Sequence, residues 1–429
     1  MSTDIAAISL KPPRGTHDIL PNESSTWQYV EATARQVLQN AGYNEIRVPI
    51  FEHTEVFKRG VGETTDMVMK EMYTFNDKSD RSLTLRPEGT AGVVRAFLNG
   101  GMHRLSPPVK LWYFGPMFRY EHPQTGRQRQ FHQVGLESFG SMSPLIDADG
   151  IITGINFLTK LGISNLEVQL NSIGCRICRP VYREKLKDYL KPFVHQLCSD
   201  CQMRFERNPL RMLDCKSETC QSFYNDCPYP TDYLCNECEG HFADLRTLLD
   251  SQNVNYLVNK RLVRGIDYYT KTALEVVSRD PRLGAQATVL AGGRYDHLVE
   301  NFGGPSIPGF GWGLGVERLI LLLGNESHKA SKVFVVSTNL TFALTLTQAL
   351  RQQGINADLD YPATGAQPRN FSKQLQQANK VGAQITVIAG DDEIASQQIS
   401  IKNMGSGEQV KVPLSECAST IKTMAQKEN

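Results

Sequence analysis

Glycine occupies every second position of Gly309-Phe310-Gly311-Trp312-Gly313-Leu314-Gly315. Successive side chains of a strand point to opposite faces, so the glycines share one face and Phe310, Trp312 and Leu314 the other. Such a strand needs an apolar core behind it and, in front, either another backbone or something flat. Interior glycines cost conformational entropy, so their alternation favours a planar ligand such as adenine over close strand contact alone. Arg318, at the start of a helix expected over 316–323, is placed to fold over such a ligand.

Two more segments concentrate polar chemistry. Strands expected over 110–121 and 131–139 flank the polar loop 122–130, which has no room for a crossover helix, so the pair is antiparallel. Arg119, Arg127 and Arg129 lie in and beside this loop and Phe131 just past it. Arginines suit a polyphosphate and an aromatic face suits a base; the plainer alternative is a solvated basic hairpin tip. The second segment is Arg264-Gly265-Ile266-Asp267-Tyr268-Tyr269-Thr270. The guanidinium fork suits phosphate or carboxylate, and Gly265 admits a close approach of backbone to ligand. If the segment lies in a strand expected over 262–278, only Tyr269 of the two phenols shares a face with Gly265.

The 429 residues are enough for two or three domains, and a net charge of +1 leaves any nucleic acid to be met by local basic patches. Met1–Gly15 has no basic start followed by an apolar run, and Leu319–Leu323 is far too short to span a bilayer, so the chain reads as soluble and cytoplasmic. A helix is expected over 22–42, strands at Glu45–Ile50, Leu83–Leu85 and Leu166–Asn171, and a helix carrying Ile151, Ile155 and Leu158. A cysteine-rich insertion over 173–245 interrupts this pattern. After a composition break at 324–329, strand and helix alternate, which predicts a separate α/β domain with partly parallel pairing.

The arginine hairpin, with Phe118-Arg119-Tyr120-Glu121, and the glycine strand ending in Arg318 together resemble the second and third signature motifs of class II aminoacyl-tRNA synthetases. Within that class, Arg14-Gly15-Thr16-His17-Asp18, Thr84-Leu85-Arg86-Pro87-Glu88-Gly89-Thr90, Phe131-His132-Gln133, Arg264–Tyr269 and Ala291-Gly292-Gly293-Arg294-Tyr295-Asp296 resemble histidyl-tRNA synthetase. The segments follow in order over nearly the whole chain. The resemblance implies an α+β catalytic domain over 1–325 with a class II antiparallel sheet of about six or seven strands. It also implies an insertion over the tRNA acceptor stem and an α/β anticodon-binding domain over 331–429. The implied reaction joins L-histidine to tRNA(His) through a histidyl-adenylate, with ATP and Mg2+, in a cytoplasmic homodimer whose interface includes residues near Pro49.

The family's roles fall on matching positions. Arg119, Glu121, Arg127, Phe131, Gly313, Gly315 and Arg318 would hold ATP, with Arg119 on the α-phosphate. Glu88, Gly89, Thr90, Arg119, Gln133, Glu137, Arg264, Tyr268, Tyr269 and Tyr295 would surround histidine. Glu88 and Thr90 would accept from its ammonium, and Glu137 with a tyrosine hydroxyl would read its imidazole. Arg264, with Arg119, would be catalytic, bridging the substrate carboxylate and the α-phosphate. Two rivals are a histidine-sensing regulatory paralogue and a synthetase for another amino acid. The C-terminal domain speaks against the first and Arg264–Tyr269 against both.

Nine of the ten cysteines lie between Cys175 and Cys238, an odd number that argues against a secreted disulfide scaffold. Cys175-x-x-Cys178, Cys198-x-x-Cys201, Cys215-x4-Cys220 and Cys235-x-x-Cys238, with His241 close behind, suit structural zinc. One pairing unites Cys175, Cys178, Cys198 and Cys201, and another Cys215, Cys220, Cys235 and Cys238; spacing leaves other pairings open. Buried reduced thiols and an iron–sulfur cluster are the alternatives. Residues 175–216 hold ten Lys/Arg against five Asp/Glu, which suits a phosphate backbone or an ordinary solvated helical face.

Overall fold

The computed structural model describes residues 11–63, 65–284, 287–324, 332–364 and 366–426. Residues 1–10 of the N-terminal reading, and the break at 324–329 beyond Gly324, lie outside them. The chain divides into two compact units, residues 1–327 and 328–429.

The first unit is built on an eight-stranded sheet. Its order is Asn44–Glu45, Val109–Phe118, Gln130–Phe139, Gly309–Gly315, Thr288–Arg294, Thr270–Ser278, Leu166–Ser172 and Tyr256–Val258. The inner strands are antiparallel, but each edge strand pairs in parallel with its neighbour. The sheet thus has one or two more strands than expected, and it is mixed, because two very short segments align along its edges. The stretch expected as one strand at 45–50 is divided: Asn44–Glu45 pairs with Leu111–Trp112, while Phe51–His53 joins a small sheet with Ser82–Leu85 and Tyr73–Asn76. Pro49 between them has no N–H for a ladder.

The alternation of the glycine strand orients the layers. Phe310, Trp312 and Leu314 face Trp112, Val134, Leu136, Leu290, Leu274 and Val276 in one buried cluster. Helices Pro21–Asn40, Pro144–Lys160, Asn236–Ser251 and Val316–Leu323 complete it with Trp27, Phe157, Leu245 and Leu319. Gly150 lets helix Pro144–Lys160 sit on the sheet. A Cβ there would stand 2.5 Å from the Phe310 ring, and the Gly150 carbonyl accepts from Trp312 Nε1 at 2.8 Å. The opposite face carries Gln133, Gly135 and Glu137, with Gly315, Gly313 and Gly311 in register beside them.

The strand expected over 262–278 begins only at Thr270. Residues 262–269 form an irregular loop whose Asp267 N–H donates to the Val61 carbonyl. Lys271 has a positive φ of 46°, and its N–H and C=O exchange bonds with Gly174 and Ile173 at the root of the insertion. This is bulge geometry, which bends the strand as it leaves the loop. The insertion consists of helices Cys178–Leu190 and Ser199–Arg207 with short helical turns, and returns through helix Asn236–Ser251.

The second unit has a five-stranded sheet in the order Ala357–Leu359, Val333–Val336, Ile385–Ile388, Gln398–Asn403, Gln409–Pro413. The first three are parallel and the rest antiparallel, so pairing is partly parallel as expected. Val333 and Val335 face one core with Cys417, Phe334 and Val336 a second one.

Candidate active site

The bare half of the glycine strand opens into a cleft. Thirteen residues singled out from sequence line it: Glu88, Thr90, Arg119, Glu121, Arg127, Phe131, Gln133, Arg264, Tyr268, Tyr269, Gly313, Gly315 and Arg318. Only part of the glycine face is open. A Cβ at Gly309 would stand 2.2 Å from the Tyr295 ring, and one at Gly311 2.0 Å from Glu137 Oε2. At Gly313 and Gly315 the nearest neighbours would lie at 3.6 and 4.0 Å, on the ends of Gln133 and Arg318. The floor is therefore Gly313 and Gly315, while Gly309 and Gly311 make room for side chains of the protein itself.

Gly89, Glu137 and Tyr295 do not reach the lining. Glu137 is fully buried and accepts from Thr90 Oγ1 at 2.7 Å and from the Tyr295 hydroxyl. Burial pushes its carboxyl up to about 8, against the hydrogen bonds from Tyr295 and Thr90. Gly89 instead clears space for Tyr113, whose ring a Cβ would meet at 2.2 Å; at Gly135 the figure is 2.0 Å. Tyr113 lines the cleft and sequence reading missed it. Its signal was the strand period: Leu111, Tyr113 and Gly115 alternate in register with Glu137, Gly135 and Gln133.

Glu88 is buried at the start of helix Thr90–Asn99 and accepts from the N–H groups of Thr90 and Ala91 at 2.8 and 2.7 Å. Burial raises its pKa while the two amides oppose that. Beside it, Arg119 Nε donates to the Pro87 carbonyl at 2.8 Å and its guanidinium lies 5.1 Å from the Phe131 ring centre. Glu121 pairs with Arg127 and lies 3.7 Å from Arg119. Arg318 donates to the carbonyls of Thr288 and Gly126; burial and then Arg127 and Arg119 depress its pKa. A cluster of arginines that destabilise one another's charge is suited to an anion.

Arg264 Nη1 donates to Glu275 Oε1 at 2.5 Å, and its guanidinium lies 5.5 Å from the Tyr269 ring centre. Because 262–269 is a loop, both tyrosines reach the cleft, their rings 4.6 Å apart, instead of Tyr269 alone. Gly265 receives no ligand space: Arg211 of the insertion donates to its carbonyl. Arg294 is fully buried, donating to Asp147, Asp296 and the Ser141 and Ser143 carbonyls, which is a structural network.

The cysteines pair differently from the first sequence grouping. Cys175, Cys178, Cys235 and Cys238 form one group and Cys198, Cys201, Cys215 and Cys220 another, with sulfurs within 4.8 Å of each other in each. Each unites thiols that the fold brings together: the first joins the two ends of the insertion. Four sulfurs at the zinc–sulfur distance on a tetrahedron lie about 3.8 Å apart. The observed Cys175–Cys178, Cys175–Cys235 and Cys198–Cys215 separations are 3.6, 3.9 and 3.8 Å. His241 and Cys227 belong to neither group; His241 faces Asp147 at 3.5 Å and Cys227 donates to the Tyr224 carbonyl.

A largely antiparallel sheet bearing the Arg119–Glu121 hairpin beside a glycine strand that leads into Arg318, with a cleft between them, defines a class II aminoacyl-tRNA synthetase. A family model described as histidyl-tRNA synthetase matches residues 15–184 and 231–319, and one described as anticodon binding domain matches 323–424. The histidine–tRNA ligase of Caldanaerobacter subterraneus subsp. tengcongensis is 46% identical over 420 residues, covering 96% of this chain and 99% of that one. The apo S. aureus histidyl-tRNA synthetase structure covers 96% of this chain and 99% of its own, with a TM-score of 0.78 at 36% identity. The chain belongs to the histidyl-tRNA synthetase family. A Bacillus halodurans structure described as an ATP phosphoribosyltransferase regulatory subunit/histidyl-tRNA synthetase has a TM-score of 0.64 at 21% identity, covering 89% of this chain and 98% of its own. That likeness is one of fold. Residues 185–230, which hold the second cysteine group, fall between the segments of the first family match.

Proposed function

We propose that this cleft carries out both steps of histidine–tRNA ligation with the residues assigned above. The overall reaction joins L-histidine to tRNA(His), converting ATP to AMP and pyrophosphate through a histidyl-adenylate. Adenine lies on the Gly313–Gly315 floor with Phe131 and Arg318 about it, and Arg119, Arg127 and Arg318 meet the phosphates. The histidine ammonium meets Glu88 and Thr90, and Gln133, Tyr268 and Tyr269 enclose the substrate. Gly89, Glu137 and Tyr295 act from behind, with the Glu137–Tyr295 pair available to the imidazole once the cleft is filled.

Arg264 orients the histidine carboxylate toward the α-phosphorus. Its charge, with that of Arg119, offsets charge developing as the carboxylate attacks and pyrophosphate leaves; alignment and neutralisation carry the step. The tRNA 3′-terminal ribose then attacks the adenylate carbonyl. Glu121 and Glu317 in the cleft wall are hard oxygen donors of the type that completes Mg2+ beside phosphates, and the ion would supply further charge neutralisation. The observation that carries this reading is the convergence of Arg119, Arg127, Arg264 and Arg318 on one cleft with an open glycine floor.

The insertion, with its basic excess, faces the acceptor stem. Its eight grouped thiols hold two structural Zn2+ ions, one per group. The enzyme works in the cytoplasm as a homodimer; support for the interface comes from Ile50 and Phe51, about half exposed beside Pro49, and from Phe75 against Phe51. The decisive test is histidine-dependent ATP–pyrophosphate exchange by Arg264→Ala. A loss of about 10²-fold or more in kcat with an unchanged melting temperature is expected; near-parental exchange would refute the role.

A further inference from the structure

The two cysteine groups stand in different relations to the cleft. The first closes the neck of the insertion. The second lies wholly inside it, and a short path leads from it to the loop that carries Arg264. Cys198 and Cys201 bracket the first turn of helix Ser199–Arg207, and Cys215 follows the turn Pro209–Met212. Between them, Asn208 Nδ2 donates to Asp267 Oδ1 at 2.7 Å and Arg211 donates to the Gly265 carbonyl. Arg204 and Arg211 also reach Asp66, at 3.2 and 3.8 Å. A Cβ at Gly265 would stand 3.3 Å from Arg211 Nη1, so glycine at this position admits the arginine.

Apolar contact runs the same way. Cys201, Met212, Leu213 and Cys215 share a buried cluster with Tyr268 and Tyr269. Residues 262–269 belong to no strand, so no sheet ladder fixes them. Their geometry depends on what packs against them, and on this side that is the segment spanning Cys198 to Cys215.

We propose that the thiolate centre at Cys198, Cys201, Cys215 and Cys220 is a metal-dependent buttress of the Arg264 loop. Zinc held there fixes helix Ser199–Arg207 and the following turn. Asn208 and Arg211 then act as positioning residues, holding Asp267 and Gly265 and so setting where Arg264 points. This rests on the zinc reading above. Backbone N–H groups of Cys198 and Ser217 already donate to Cys220 and Cys215 sulfurs, at 3.2 and 3.4 Å, so backbone of the same segment holds two of the four sulfurs in place. A four-iron cluster would spread its thiolates over four irons; these spacings fit one tetrahedral ion.

The test uses the full-length enzyme purified without chelator, with bound metal counted by elemental analysis. Cys198→Ser/Cys215→Ser should hold one zinc fewer per chain than the parent. Amides of 262–269 should exchange hydrogen faster. The kcat of histidine-dependent pyrophosphate exchange should fall by about 10- to 100-fold with the KM for ATP unchanged, as expected for a displaced catalytic group. Asn208→Ala/Arg211→Ala should keep the full zinc content yet show the same loop exchange and kcat loss, and Arg211→Lys should recover part of the rate. Parental kcat and loop protection in the cysteine variant after it has lost one zinc would overturn the buttress while leaving the zinc reading intact. No zinc in the parent would overturn both. If the cysteine variant does not fold, parental kcat in Asn208→Ala/Arg211→Ala overturns the proposal by itself.

Discussion

Adding one methyl group at two neighbouring glycines of the same strand should give opposite outcomes. At Gly311 a Cβ would stand 2.0 Å from Glu137 Oε2 and 2.5 Å from the Leu136 carbonyl oxygen. Neither can retreat: the carbonyl belongs to the adjacent strand, and Glu137 is held by Thr90 and Tyr295. Overpacking costs about 1–3 kcal/mol, and disturbing a buried hydrogen-bonded group about as much again. Gly311→Ala should therefore lower the melting temperature of the catalytic unit by roughly 5–10 °C. At Gly313 the nearest atom to the same methyl is 3.6 Å away, on Gln133, which is ordinary contact. The fold should hold within about 0.5 kcal/mol. The methyl would, however, lift a planar ligand off its floor, and the Kd for ATP should rise by about tenfold, or about 1.4 kcal/mol. Calorimetric unfolding and ATP titration without histidine separate the two effects. Parental ATP affinity in Gly313→Ala would refute the floor assignment; an unchanged melting temperature in Gly311→Ala would refute the packing argument.

Three further outcomes follow from the same geometry. Arg294→Ala leaves Asp147 buried without its main cation and should cost about 3–5 kcal/mol, read by denaturant unfolding; a loss under about 1 kcal/mol would show that the network is dispensable. Glu137, raised to about 8 by burial, contributes stability that is full below its ordinary pKa near 4.5 and is lost as pH rises through about 8. Glu137→Gln cannot ionise, so its melting temperature should fall less than the parent's between about pH 5 and pH 9, and an equal or steeper fall would contradict the buried-acid assignment. Light scattering should give the mass of a dimer, with Phe51→Glu shifting it toward monomer; a parental monomer would remove the interface proposal.

Local rules made much of this protein legible from its residues. The strand period placed Phe310, Trp312 and Leu314 toward the core, and the nine-residue connection at 122–130 allowed only a hairpin. The ordered signature segments named the family and the cleft residues, because each carries its chemistry within a few positions. What neighbours do to one another was hidden. Glu137 from the adjacent strand and Tyr295 just past the end of the other fill the space over Gly311 and Gly309, so just two of the four glycines face the open cleft. Tyr113 enters the cleft because Gly89 and Gly135, far apart in the chain, leave room for it. Gly265 looked like a ligand approach and receives Arg211 instead. The cysteine pairs offered several combinations; folding joined 175/178 to 235/238 by bringing the insertion's ends together. The sequence by itself determined which face of each element is apolar and which chemical groups are available, since both are set by covalent order and backbone period. Only the tertiary structure decided which of those groups meet, since that depends on register and on the packing of segments remote in the chain.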